Sequence, residues 1–148
     1  MSTKPALVFG SDHAGLALKR VLRKRAEELG YTVTDVGTHD EASTDYPDWA
    51  HRVAAQVVAG QGWGVLVCGT GIGMSISANR HKGVRAALCG DVFSAKMTRA
   101  HNDANVLCLG ARVVGEGLAL EIFEAFLAAP FEGGRHQRRI DKIEPNAS

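Results

Sequence analysis

The sequence lacks the features that direct a protein to a membrane or out of the cell. No apolar run approaches the roughly 20 residues that a bilayer-spanning helix needs. The first residues, MSTKPALVFG, lack the long apolar stretch of a secretory signal. The formal net charge is only +1, so no strong electric field draws the chain to nucleic acid or to a lipid surface. We therefore expect a cytoplasmic protein whose partners include neither nucleic acid nor a membrane.

Cysteine is scarce, and its arrangement argues against disulfides. The three cysteines are an odd number, and none belongs to a CxxC pair. Cys89 and Cys108 lie in the apolar runs AALC and VLCL, as buried core cysteines do. Cys68 also ends an apolar run, but it opens a glycine-rich turn, so a packing role and a reactive thiol both stay open. The histidines show no metal-ligand spacing and no HExxH motif, so we expect no metal site.

Apolar runs and amphipathic stretches alternate along the chain. We predict strands at 6–10, 31–36, 64–68, 84–89 and 105–110, and helices at 15–30, 49–60, from the glycines to about 80, from about 93, and at 117–129. Three of the strands are apolar throughout, which is typical of strands covered by helices on both faces. The pattern predicts an α/β fold: residues 1–148 form a single three-layer α/β/α Rossmann-like domain with a five-stranded parallel sheet. Its basic C-terminal tail covers about 131–148.

Polar and glycine-rich segments follow several of these strands. In parallel sheets, ligands bind beyond the carboxyl ends of the strands. Asp12 and His13 follow the first strand, and a cap on the next helix is an alternative role for Asp12. His101 and Asn102 close the helix after the fourth strand. We expect these residues to cluster with the segment CGTGIG, which follows the third strand.

The segment GTGIG opens a helix, whose free N–H groups and dipole favour an anion. A tight strand-to-helix turn is the plain structural alternative. Asp91 lies about twenty residues further on, as the ribose-binding acid of a dinucleotide site would. A non-catalytic nucleotide or sugar-phosphate binding module is therefore a second possibility.

Five segments in unbroken order carry a family resemblance over about residues 5–140: GSDHAG, TDYPDWA, CGTGIGMSISANRHKGVRAALC, HNDANVLCLGARVVG and FEGGRHQRR. Together they resemble the ribose-5-phosphate isomerase B family, which also includes galactose-6-phosphate and allose-6-phosphate isomerases. One branch of that family uses a glutamate where this chain has Met74, so the chain resembles the cysteine type. The pair His101 and Asn102 favours the pentose phosphate, and a six-carbon sugar phosphate is the alternative substrate.

The resemblance implies a reaction and a set of residues. The family interconverts ribose 5-phosphate and ribulose 5-phosphate through a cis-enediolate, with no metal and no cofactor. Cys68 resembles the base that moves the proton, with Thr70 beside it, and His101 resembles the residue that opens the furanose ring, with Asp12 at the ring oxygens. The resemblance assigns the remaining substrate contacts to Gly69, Gly71, Ile72 and Gly73 for the enediolate, Asn102 for a hydroxyl, and His13, Arg112, Arg135 and Arg139 for the phosphate.

The family also builds its sites between two subunits. This implies a homodimer, or a tetramer made of two dimers, with a small sugar phosphate bound at the subunit interface. For the arginines of the basic tail, a solvated charged surface is the alternative to a phosphate clamp.

Overall fold

In a computed structural model that describes residues 4–145, five strands alternate with five helices, and a sixth helix follows the fifth. Residues 1–3 and 146–148, the latter the end of the predicted basic tail, lie outside the described residues. No helix within 4–145 is both long and apolar enough to cross a membrane. The elements are β1 Leu7–Ser11, α1 Leu16–Glu28, β2 Val33–Asp35, α2 Tyr46–Val58, β3 Trp63–Cys68, α3 Ile72–Ala78, β4 Ala86–Leu88, α4 Val92–Asn102, β5 Val106–Gly110, α5 Glu116–Ala128 and α6 Arg135–Ile140.

The strands form one parallel sheet in the order β2-β1-β3-β5-β4. Strand β3 pairs with β1 from Leu7↔Trp63 to Ser11↔Val67, and with β5 from Gly64↔Val106 to Cys68↔Gly110. The three central strands are almost completely buried, as their uniformly apolar sequences predict. The five-stranded parallel sheet is confirmed.

Helices cover both faces of the sheet, so the predicted three layers are confirmed. On one face, Leu22 from α1 and Phe123 from α5 belong to the larger apolar cluster. On the other, Val53 from α2 and Met74 from α3 belong to a second cluster. Cys89 and Cys108 are 2% and 0% exposed, which confirms their assignment to the core.

Two elements differ from the predicted ones, at the start of α2 and in the basic tail. Helix α2 begins at Tyr46, before the predicted start at 49, and Pro47 lies in its first turn. Proline is tolerated there because the first N–H groups of a helix have no intrahelical partner. Residues 135–140 of the basic tail form helix α6, which packs against α4.

The strand order also locates a crevice. From β1 the chain crosses to β2 on one side, and from β3 it crosses to β4 on the other. The connections therefore reverse direction between β1 and β3. Doubly wound sheets bind ligands at the carboxyl ends of the strands on either side of such a reversal.

Candidate active site

Three turns meet at the carboxyl edge of β1, β3 and β5. The backbone N–H of Asp12 donates to the carbonyl of Val67 over 3.3 Å. The N–H groups of Ala111 and Arg112 donate to the carbonyls of Cys68 and Gly69, each over 2.9 Å. These hydrogen bonds join the segments that follow all three strands, so the turns at this edge are held in fixed positions relative to one another.

The sulfur of Cys68 lies at the centre of this edge. The side chain is 5% exposed, and the backbone N–H of Gly71 donates to Sγ over 3.2 Å. A hydrogen bond from an N–H group stabilises negative charge on its acceptor. Burial raises the pKa of the Cys89 thiol to about 11 and also raises that of Cys108. Both possible roles of Cys68 are therefore visible: the residue packs in the second apolar cluster, and its sulfur accepts a directed donor.

The glycine turn holds this donor by close packing. Gly71 has φ +79°, and a Cβ there would lie 2.5 Å from Leu88 Cδ1. Only glycine fits such a position. The N–H of Ile72 donates to Thr70 Oγ1 over 3.2 Å. Two N–H groups of the predicted anion site are therefore used within the turn.

Tyr46 is a residue of this edge that the sequence reasoning did not single out. A Cβ on Gly73 would lie 2.3 Å from its Cε1, so the tyrosine ring covers the start of α3. The segment TDYPDWA, which contains Tyr46, was the available signal.

Asp12 and His13 lie beside the same turn. Asp12 is 7% exposed, and its Oδ1 accepts from the N–H of Gly15 over 3.0 Å. Gly15 is the N-cap of α1 and no side chain caps that helix, so Asp12 closes the turn before α1 and the cap expected as its alternative role does not form. His13 Nδ1 accepts from the N–H of Thr44 over 3.2 Å, so the neutral imidazole carries its proton on Nε2.

Arg112 brings a positive charge to the glycine turn. A Cβ on Gly69 would lie 3.8 Å from Arg112 Nη1. The arginine is exposed, so its planar guanidinium is free to meet an anion. The carboxyl edge therefore collects these predicted site residues: Asp12, His13, Cys68, Gly69, Thr70, Gly71, Ile72, Gly73 and Arg112.

The remaining predicted residues lie at the opposite edge of the sheet, contrary to our expectation of one cluster within the chain. Helix α4 starts beyond the carboxyl end of β4 and ends at Asn102, close to the start of β5. The carbonyl of Asn102 accepts from Arg85 Nε over 3.0 Å, and Arg85 directly precedes β4. The Gly64–Cys68 part of β3 separates the two edges by about 13 Å, at ~3.3 Å per residue. His101 and Asn102 therefore do not reach Cys68 of their own chain.

Helix α6 lies beside this second group. The ring of His136 stacks on that of His101, with centroids 4.3 Å apart and an interplanar angle of 11°. Arg135 and Arg139 are exposed and four residues apart on α6. Glu132 Oε1 lies 3.8 Å from His101 Nε2 and 3.4 Å from His136 Nε2.

The sequence reasoning missed this cluster of two histidines and one carboxylate. Glu132 and His136 are four residues apart, but His101 is distant from both in the chain and meets them only because α6 packs on α4. Burial, with His101 and Arg135 nearby, holds the pKa of His136 below its usual value.

Asp91 has a structural role in this chain. It is the N-cap of α4: its Oδ1 accepts from the N–H of Ser94 over 2.7 Å, and its Oδ2 accepts from the Ser94 hydroxyl over 3.0 Å. Because both oxygens are bonded within the helix end, Asp91 gives no support to a dinucleotide site.

Comparisons with known proteins identify the family and the fold. The model of the Ribose/Galactose Isomerase family matches residues 7–143. Ribose-5-phosphate isomerase B of Escherichia coli (strain K12) is 47% identical over 138 residues, 93% of each chain. The structure of ribose-5-phosphate isomerase B from Clostridium thermocellum matches with a TM-score of 0.93 at 48% identity over 95% of each chain. That of ribose-5-phosphate isomerase B from Mycoplasma genitalium with bound ribulose-5-phosphate matches with a TM-score of 0.89 at 44% identity over 93% of each chain. The chain therefore belongs to the ribose/galactose isomerase family.

Proposed function

We propose that this protein interconverts D-ribose 5-phosphate and D-ribulose 5-phosphate through a cis-enediolate. The names of the similar proteins support the sugar, and the Mycoplasma genitalium structure contains the ketose product. The observation that carries the chemistry is the hydrogen bond from the Gly71 N–H to Cys68 Sγ, at an edge that also presents Arg112.

Cys68 acts as the base in this proposal. Its thiolate removes the proton from C2 of the open-chain aldose, and the electron pair forms the enediolate. The same proton returns to C1, while a proton moves from O2 to O1, so that the ketose forms with no net gain or loss. The Thr70 hydroxyl lies beside the sulfur turn and assists the transfer between the oxygens. All of these steps use protein groups alone.

The active site forms between two copies of the chain. One copy supplies Cys68 and the glycine turn, and the other supplies His101, Asn102 and the α6 arginines. The separation of the two groups within one chain supports this arrangement. His101 of the second copy opens the furanose ring, with Asp12 of the first at the ring oxygens.

An exposed apolar strip supports the association of two chains. Phe93 is 71% exposed, and Leu88 lies beside it in the same groove. Ile72 and Ile76 are half exposed on α3, whose N-terminal glycine packs on Leu88. Contiguous exposed apolar side chains of this kind mark interaction surfaces.

Mixing two inactive variants tests the shared site. Cys68→Ser replaces the base with a much weaker one of similar size, and His101→Asn removes the ring-opening group. A mixed dimer has one site with both native residues, so random mixing should restore about a quarter of wild-type activity. If the mixture stays as inactive as the separate variants, the shared site is refuted. High activity of Cys68→Ser alone would refute the proposed base.

A substrate panel tests the sugar and the phosphate contacts. We expect kcat/KM to be higher for ribose 5-phosphate than for allose 6-phosphate or galactose 6-phosphate. Arg135→Ala and Arg139→Ala should each lower it by at least ~10-fold, because binding at the phosphate positions the reacting carbons. Arg138→Ala is the matched control and should change little. A preference for a six-carbon sugar, or greater damage from Arg138→Ala, would contradict these assignments.

A further inference from the structure

His136 has a buried nitrogen that the proposed reaction does not use. The side chain is 6% exposed, and within residues 4–145 its Nε2 has no hydrogen-bond partner. Glu132 Oε1 lies 3.4 Å away but outside hydrogen-bonding geometry. Buried polar atoms in native proteins nearly always have a partner, so an unpaired imidazole nitrogen indicates a missing ligand.

Two further ligand atoms surround this nitrogen. One ring nitrogen each from His101 and His136 and a carboxylate oxygen of Glu132 all lie within 4.8 Å of one another. Ligand atoms on tetrahedral zinc are about 3.4 Å apart, given metal–ligand bonds near 2.1 Å. At their widest separation the three atoms therefore need to close by at most about 1.4 Å to bind one ion.

His101 and Glu132 have to move to bind an ion together with His136, and both are exposed enough to do so. The imidazoles of His101 and His136 are nearly parallel, so one has to tilt before both can direct a lone pair at one ion. The His101 side chain is 40% exposed and that of Glu132 is 54% exposed, whereas His136 is held in place. The backbone N–H of Glu132 donates to the carbonyl of Ala100 over 3.0 Å, which ties the segment before α6 to α4.

Two imidazoles and one carboxylate are a ligand set that zinc accepts, with the fourth position open to water. We propose that His101, Glu132 and His136 bind a zinc ion, and that the bound ion inhibits the enzyme by removing His101 from the ring-opening step. The inhibition rests on the proposed function, whereas the metal site does not.

Metal binding is tested on the full-length, metal-free protein with Zn²⁺ in calorimetry and with Co²⁺ in absorption spectroscopy. We expect one saturable site per chain and a four-coordinate cobalt spectrum without a thiolate charge-transfer band. Glu132→Gln and His136→Asn should each weaken binding by at least ~10-fold. Because Glu132 is exposed, Glu132→Gln is less prone to misfold than His136→Asn. Circular dichroism checks that both variants are folded.

The control is the second histidine pair of the chain. His51 Nδ1 and His81 Nε2 lie 2.7 Å apart on the surface. Within residues 4–145, no carboxylate or other ligand residue joins this pair to form a group of three potential metal ligands. His81→Asn should leave metal affinity unchanged. Absence of saturable binding, loss of binding in His81→Asn, or a thiolate band from Cys68 would each overturn the proposed site.

Activity measurements test the inhibition separately. Zn²⁺ should suppress turnover of ribose 5-phosphate, and a chelator should restore it. The Glu132→Gln variant should need at least ~10-fold more Zn²⁺ for the same suppression. Zinc bound at the three residues without inhibition would overturn the inhibitory role. If the chain shows no isomerase activity at all, the proposed function fails, and the binding data still decide whether the metal site exists.

Discussion

Replacing Gly71 with alanine tests whether close packing of the glycine turn holds the Cys68 sulfur. The new Cβ would lie 2.5 Å from Leu88 Cδ1 and 2.8 Å from the carbonyl carbon of Leu109. The leucine side chain can move, but the backbone of β5 cannot move without disturbing the sheet. Crowding of this kind typically costs about 1–3 kcal/mol. The φ of +79° adds about 1–2 kcal/mol for any residue with a Cβ.

Gly60→Ala is the matched control, because Gly60 also has φ +79° but a Cβ added there would have no atom within 4 Å. It should lose only the conformational contribution of about 1–2 kcal/mol. Urea denaturation of both variants gives the two free energies of unfolding, and their difference isolates the crowding at the turn. We expect Gly71→Ala to be less stable than Gly60→Ala by at least about 1 kcal/mol.

The same pair of variants should separate in activity. The N–H of Gly71 donates to Cys68 Sγ, so a shifted turn misplaces the sulfur. Misplacement of a reacting group by a fraction of an ångström lowers kcat strongly, and we expect a loss of at least ~10-fold in Gly71→Ala. Gly60→Ala should retain wild-type kcat. Equal stability and equal kcat in the two variants would refute the packing argument.

Three further predictions concern buried charge and the thiols. Lys19→Met should lower the free energy of unfolding, measured by urea denaturation, by about 3 kcal/mol. Lys19 is fully buried and donates to Asp35 Oδ1 over 2.8 Å, so the substitution removes this partner from the Asp35 carboxylate. A loss below about 0.5 kcal/mol would contradict the role of this pair. In a Cys68→Ser background, alkylation of Cys89 should be slow at pH 8, where about one thiol in a thousand is ionised, and should quicken about tenfold per pH unit toward its pKa of about 11; a rate independent of pH would contradict the raised pKa. Cys108→Ser should lower the melting temperature because it buries a hydroxyl in the apolar core, and unchanged stability would show that the hydroxyl finds a partner.

Local sequence patterns were enough to predict the layers of this fold. A strand buried on both faces has to be apolar throughout, and the three central strands are. The amphipathic helices between them then have only the two faces of the sheet to cover. The core positions of Cys89 and Cys108 follow from the same local reasoning.

The grouping of the site residues depended on the tertiary structure. A helix that connects parallel strands runs back along the sheet, so a residue at its end lies at the amino edge and not at the carboxyl edge. This places His101 opposite Cys68 within one chain. Hydrogen bonds that no pattern specifies also assigned Asp91 to a helix cap and the Gly71 N–H to the Cys68 sulfur. The cluster of His101, Glu132 and His136 exists only because α6 packs on α4, and contacts between distant segments are set by the three-dimensional packing of the whole chain.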